Sequence, residues 1–303
     1  MLSRRVRILN FDDSVARQPD FLAAAEAVTV DLTALGPAAR LWADRAQAGA
    51  IRRALDPELA GAVTFLGSGD YHYVSALLLE QFREPVCLVV FDHHPDWDRL
   101  PPRHGCGAWV SRALEQRNVA QVVLVGNGSS DLAWPSILTG SWRAMRSGRV
   151  VQLPSALPAR RTWPGSGLPW RELGGDPEGV FAGVIDRLPC RRVYVSIDKD
   201  CLAAPYALTN WEEGGLTLGQ LLAFLQVLRE KCEIVGLDVT GDYSPARIPG
   251  RWKSWCSAFD HPRDYSARGR PPAEIARVNG ETNRRILERL RAWPAWPATP
   301  GGT

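Results

Sequence analysis

The residues best suited to chemistry lie in three short stretches. In Phe91-Asp92-His93-His94-Pro95-Asp96, an acid, an imidazole and an acid occupy alternate positions. Alternate side chains of an extended chain share a face, so Asp92, His94 and Asp96 can converge while His93 points away. Asp198-Lys199-Asp200 repeats the alternation, with Lys199 on the other face. In Gly67-Ser68-Gly69-Asp70-Tyr71-His72, small residues let the backbone turn before His72. The candidate ligands are His72, Asp92, His94, Asp96, Asp198 and Asp200: two imidazoles and four carboxylates. One dication would be over-supplied by that set, whereas two sharing carboxylates would use all of it. Without a cation the acids repel and some must stay protonated. The oxygen-rich set favours Mn2+ over Zn2+, and the imidazoles keep Fe2+, Co2+ and Zn2+ open.

Each stretch follows a segment that reads as a strand. Residues 86–91 form an apolar run suited to a strand buried on both faces. Further strands are expected at 6–10, 62–66, 122–125, 149–153, 193–197 and 234–239. Helical spacing falls between them, at 21–28, around 53–55, and at 74–82, 108–116, 179–187, 216–231 and 274–292. The alternation predicts one α/β domain over 1–292 with a mainly parallel sheet, followed by a Pro/Gly-rich tail at 293–303. In such sheets the ligand site lies beyond the carboxyl ends of the strands, where these polar clusters fall. The Pro/Gly/Trp-rich segment 154–177 reads as a loop excursion, and the polar stretch 241–272 as a long surface loop.

The motifs Gly-x-Gly-Asp-x-His at 67–72, Asp-x-His-x-Asp at 92–96 and Ser-x-Asp-x-Asp at 196–200, with Gly214-Gly215-Leu216-Thr217 after them, resemble the ureohydrolase family of arginase and agmatinase. The resemblance spans roughly 62–245. It implies a three-layer α/β/α sandwich. It also implies that His72, Asp92, Asp96 and Asp198 hold one Mn2+ and that His94, Asp92, Asp198 and Asp200 hold the other, with Asp92 and Asp198 bridging. Asp96 would orient a metal-bridging hydroxide, and His104, followed by Gly105, would shuttle a proton. The chain departs from the family pattern at Tyr71, which separates Asp70 from His72, and at Cys201-Leu202-Ala203-Ala204-Pro205, where the family reads x-x-Asp-Pro. It also has Thr240-Gly241-Asp242 where arginase-like enzymes place a glutamate that grips guanidinium. Asp242 is therefore the expected contact for a cationic substrate group, the alternative being a loop cap. Trp97 and Trp109 are expected to wall the pocket, since aromatic faces suit flat cationic or apolar groups.

The bulk properties fit this reading. The chain has 303 residues, 45% of them hydrophobic and 23% charged, which is the composition of a globular protein with a substantial core. A formal charge of +3 gives no reason to expect nucleic acid or a membrane as partner. The N-terminal residues lack a long apolar stretch, so no signal peptide is expected. Six scattered cysteines without a CxxC pair read as free thiols in a reducing cytoplasm. The sequence thus predicts a binuclear-manganese hydrolase cleaving a C–N bond in a guanidino or amidino small molecule, with homo-oligomer formation open. The alternatives are an amide deacetylase-like metallohydrolase and a non-catalytic metal-binding homologue.

Overall fold

The computed structural model describes residues 2–3, 5–100, 102, 104–132, 136–155, 170–246, 248–261 and 265–293, without the side chains of 137, 259 and 260. Most of the expected 154–177 excursion, including Trp163, and the tail beyond 293 lie outside these residues. The strands are β1 (Val6–Asn10), β2 (Val28–Asp31), β3 (Trp42–Ala43), β4 (Val63–Gly67), β5 (Val86–Phe91), β6 (His104–Gly105), β7 (Val119–Val125), β8 (Val150–Leu153), β9 (Arg192–Asp198) and β10 (Glu233–Thr240). The helices are α1 (Pro19–Ala25), α2 (Gly36–Ala39), α3 (Arg45–Ala54), α4 (Val74–Leu79), α5 (Trp109–Glu115), α6 (Trp142–Arg146), α7 (Pro177–Ile185), α8 (Leu218–Lys231), α9 (Arg251–Asp260) and α10 (Pro272–Arg291). None of the described helices is long and apolar enough to cross a membrane.

Eight strands form one sheet in the order β2-β1-β4-β10-β9-β5-β7-β8, and every pairing in it is parallel. The period of two in β5 divides its side chains between two cores. Cys87, Val89 and Phe91 join Phe21 of α1, Phe181 of α7, Phe224 of α8 and Ile286 of α10. Val86, Leu88 and Val90 join Ile51 of α3, Leu77 of α4, Trp109 of α5 and Met145 of α6. Helices thus cover both faces of a buried parallel sheet, giving a three-layer α/β/α sandwich.

Three short strands escape the sequence reading, and a helix replaces a loop. The helix expected at 21–28 stops at Ala25, because Glu26 turns into the left-handed region at φ 49°. Val28 then opens β2, a half-exposed edge strand paired with β1. β3 and β6 form a two-residue antiparallel pair that carries His104 opposite Ala43. Within the expected 241–272 loop, α9 forms, beginning after Gly250.

Candidate metal centre

Strand register brings the acids together. Phe91 of β5 pairs with Ile197 of β9, so Asp92 and Asp198 leave the sheet side by side. His72 arrives from β4 through the tight turn Gly69–Tyr71, which begins where the Ser68 side chain accepts from the Asp70 amide. That turn needs its glycine, since a Cβ on Gly69 would stand 2.8 Å from Asp198 Oδ2.

His72 Nδ1 lies 3.2 Å from Asp92 Oδ2, 3.3 Å from Asp96 Oδ2 and 3.5 Å from Asp198 Oδ2. Its Nε2 is 2.9 Å from Ser196 Oγ. The Ser196 hydroxyl donates its one proton to Asp238 Oδ1 at 2.7 Å, so toward His72 it acts as acceptor. Nε2 thereby donates to Ser196, and Nδ1 faces three carboxylates; burial opposes a charge on the ring, but Asp92, Asp96 and Asp198 outweigh it and push its pKa well above the ordinary value. Asp238 is held in turn by Ser75 and Tyr194 at 3.0 and 2.7 Å. Beside this group, His94 Nδ1 is 2.8 Å from Asp200 Oδ2 and 3.8 Å from Asp92 Oδ1. The ligand atoms of His72, Asp92 and Asp96 lie within 4.8 Å of one another, as do those of Asp92, His94 and Asp200. Asp92 belongs to both groups.

These donors fit a pair of dications. His72 Nδ1 and Asp92 Oδ2 are buried and have no hydrogen-bond partner, an arrangement costly for polar atoms unless a cation joins them. Burial, followed by the charges of Asp200 and Asp96, pushes the Asp92 carboxyl well above its ordinary range. Burial and Asp200 push Asp198 up to about 8. Burial also acts on Asp200, but the His94 contact outweighs it and holds that carboxyl low. Asp96 adopts a left-handed backbone at φ 44°, unusual for a residue with a side chain, and its Oδ2 accepts from Trp109 Nε1 at 2.8 Å. His93 points away from the cluster, with its ring packed near Gly128 and its pKa lowered to about 4 by burial and then by His94.

A cleft of about 240 Å³ opens over the two groups. Its lining includes Asp92, His94, Asp96, Asp198 and Asp200, while His72 is buried beneath. The outer wall brings Asp98, Asp131, Trp211 and Glu212, none of which the sequence reading singled out. Of these, Glu212 has a signal in sequence, standing two positions before the Gly214-Gly215-Leu216-Thr217 motif. Trp97 and Asp242 do not line this cleft, and neither does His104. Trp97 is fully buried against Trp142 and Gly140. His104 lines a separate depression with Trp42, Arg112 and Glu115. Asp242 is buried in an ion pair with Lys199 at 2.7 Å and accepts from Gln18 at 2.6 Å, so its charge is neutralised inside the fold. Nor can a longer side chain stand at position 241: Gly241 has φ 90°, and a Cβ there would be 2.3 Å from Asp198 Oδ1.

A second polar cluster braces the turn that carries His72. Asp70 is buried against Arg40, whose Nε donates at 2.5 Å, and it accepts from Trp211 Nε1 at 3.2 Å. His261 Nε2, from the end of α9, is 2.9 Å from Asp70 Oδ1. Burial works against the Asp70 charge, yet Arg40 and His261 hold the carboxyl far below its usual range.

A parallel sheet between two helical layers, with histidines and aspartates gathered at the strand ends, is an arginase-like fold. Residues 171–250, which carry β9, β10 and the candidate ligands Asp198 and Asp200, match the family model described as Arginase family. This match covers 80 of the chain's 303 residues and makes that segment similar to the arginase, or ureohydrolase, family. Arginase from Bacillus subtilis superposes with a TM-score of 0.56 at 11% identity, over 98% of this chain and 100% of that one. The agmatine ureohydrolase of Thermoplasma volcanium gives 0.51 at 17% identity, over 94% and 90%. At such identities these likenesses show the fold. An uncharacterized Thermotoga maritima protein is 28% identical over 191 residues, 63% of this chain and 61% of its own length. The chain therefore spans about three fifths of that relative.

Proposed function

We propose that this chain is a binuclear metallohydrolase that cleaves a C–N bond in a guanidino or amidino small molecule. The observation that carries the proposal is the pair of ligand groups sharing Asp92, with the buried His72 Nδ1 and Asp92 Oδ2 lacking any other partner. His72, Asp92, Asp96 and Asp198 would hold one cation, and His94, Asp92, Asp198 and Asp200 the other. Two dications, Mn2+ by the ligand chemistry, would acidify a water at neutral pH and stabilise charge developing on the attacked carbon's substituents. Asp96, fixed by Trp109, is placed at the cleft to take a proton from that water. Asp98, Asp131 and Glu212 give the mouth a negative wall that suits a cationic group. None of the six cysteines, all of them described, forms a disulfide, which suits a cytoplasmic protein.

A second reading, an amide deacetylase-like hydrolase, is favoured by Gly241, whose close approach to Asp198 leaves no room for a guanidinium-gripping side chain. Metal analysis of the purified protein, followed by assay of guanidino compounds and acylated amines with and without added Mn2+, tests both. Release of urea or an amine from guanidino compounds supports the first reading, and release of a carboxylate from acylated amines supports the second. Protein without transition metal that gains nothing from Mn2+ refutes both.

A further inference from the structure

The described residues include five large exposed hydrophobic side chains, and three of them gather at one place: Leu100 at 57% exposure, Trp252 at 71% and Trp255 at 56%. They border a groove of about 660 Å³ whose apolar walls also include Leu41, Trp42 and Ala108. The groove is continuous with the catalytic cleft, because Asp98, Cys106 and Gly107 line both. Its far wall is α9, and that helix is secured on two sides. Lys253 Nζ donates to the carbonyls of Ala38 and Trp42, each at 2.6 Å, and sits 4.6 Å over the Trp42 ring. At the helix end His261 is tied to Asp70. Trp252 and Trp255 stack on each other with centroids 5.2 Å apart, so the two rings present one broad apolar ledge.

An acidic cleft that continues into an apolar trough matches a molecule with a cationic head and an apolar tail. Exposed apolar surface of this extent is costly to leave in water and marks a binding function. We infer that the substrate carries an extended apolar substituent, alkyl or aryl, which lies in this groove while the amidino head occupies the cleft. The inference rests on the amidino reading of the cleft and adds what the non-reacting end of the substrate must be. Leu100, Trp42, Trp252 and Trp255 are then the residues that set specificity, through burial of the tail.

The test uses the whole metal-loaded chain and a series of n-alkylguanidinium ions from methyl to octyl, with affinity read by titration calorimetry. Each methylene buried in the groove should tighten binding roughly fourfold, continuing over several carbons. The double variant Trp252→Ser/Trp255→Ser should flatten that dependence. Leu100→Asp, on the opposite wall, should do the same, and it serves as a second probe if the double variant folds poorly. Affinity that does not change with chain length, or a dependence that survives both variants, overturns the inference. So does a flat dependence accompanied by conversion of a dimer to a monomer in the double variant, since the ledge would then be a contact between copies. Activity on the same series is scored separately. Tail-dependent binding without C–N cleavage would refute the hydrolase reading and leave the groove standing, whereas cleavage without tail dependence would do the reverse.

Discussion

His261 Nε2 lies 2.9 Å from Asp70 Oδ1, joining the end of α9 to the turn that delivers His72, although 191 positions separate the two in sequence. The other ring nitrogen, Nδ1, is 2.9 Å from the carbonyl oxygen of Ser257. Asp70 Oδ1 can only accept, so Nε2 donates to it, while the Ser257 hydroxyl, 3.0 Å from Nδ1, can accept from that nitrogen or donate to it.

Stability should therefore depend on pH through His261. Burial opposes its charge, but the Asp70 carboxylate outweighs burial and the nearby Arg40 and raises the pKa above 6.5. A raised folded-state pKa gives a contribution that is complete below the unfolded value and is lost as pH rises through the folded one. Replacing His261 by Gln should cost about 1–3 kcal/mol near pH 6, a typical value for a hydrogen bond to a charged group. The gap between wild type and variant should narrow as the pH is raised above about 6.5. Urea denaturation of both proteins across that range checks it, and a gap that widens with pH would contradict the charge assignment.

Ser196→Ala should weaken Mn2+ binding by roughly 10–100-fold, the usual effect of removing a group that orients a ligand histidine. The change leaves the His72 Nε2 hydrogen without its acceptor and frees the ring to present the wrong nitrogen. Titration of the apo-protein with Mn2+ measures the loss, and Ser196→Thr should restore most of it.

Asp92 belongs to both ligand groups, and Asp200 to only one of them. Asp92→Asn should reduce bound metal to about none, and Asp200→Asn to about one ion per chain, by elemental analysis. The metal-free proteins should behave in the opposite sense. Removing one of several crowded buried charges should stabilise apo Asp92→Asn by about 1–2 kcal/mol over the wild type. A loss of both metal and apo-stability would show that Asp92 serves the fold itself.

Lys199 and Asp242 are both buried and 2.7 Å apart, with Asn283 as a second acceptor for the lysine at 3.0 Å. Asp242→Asn or Lys199→Met should destabilise the fold by about 3–5 kcal/mol, because the remaining charge stays buried and unpaired. The double variant should recover much of this. A change confined to substrate affinity, with thermal stability intact, would instead return Asp242 to the substrate.

The convergence of His72, Asp92, His94, Asp96, Asp198 and Asp200 was legible in sequence because their spacing is local: alternate residues at two strand ends, and one histidine after a turn. The strands β5, β9 and β10 were legible for a related reason: burial on both faces makes β5 apolar throughout, and leaves β9 and β10 with apolar runs broken only near their ends, by Ser196 and Asp238. The braces around the cage are different in kind. Arg40, Asp70 and His261 meet only after folding, and nothing near any one of them names the others. Asp242 fell next to the right strand, but its direction depended on Lys199, a partner fixed by how β9 and β10 lie together. The helix α9 was hidden because Trp252, Trp255 and Cys256 line the groove rather than a core, and its polar flanks read as loop.

The pairing of Phe91 with Ile197 is also a gauge of correct folding. A slip of one residue between β5 and β9 would send Asp92 into the opposite core and exchange every apolar contact of the strand. No misregistered chain could then assemble the cage. With metal bound as proposed, the fraction of molecules that take it up would count those whose central strands have found their proper alignment, making the centre a built-in assay of the sheet beneath it.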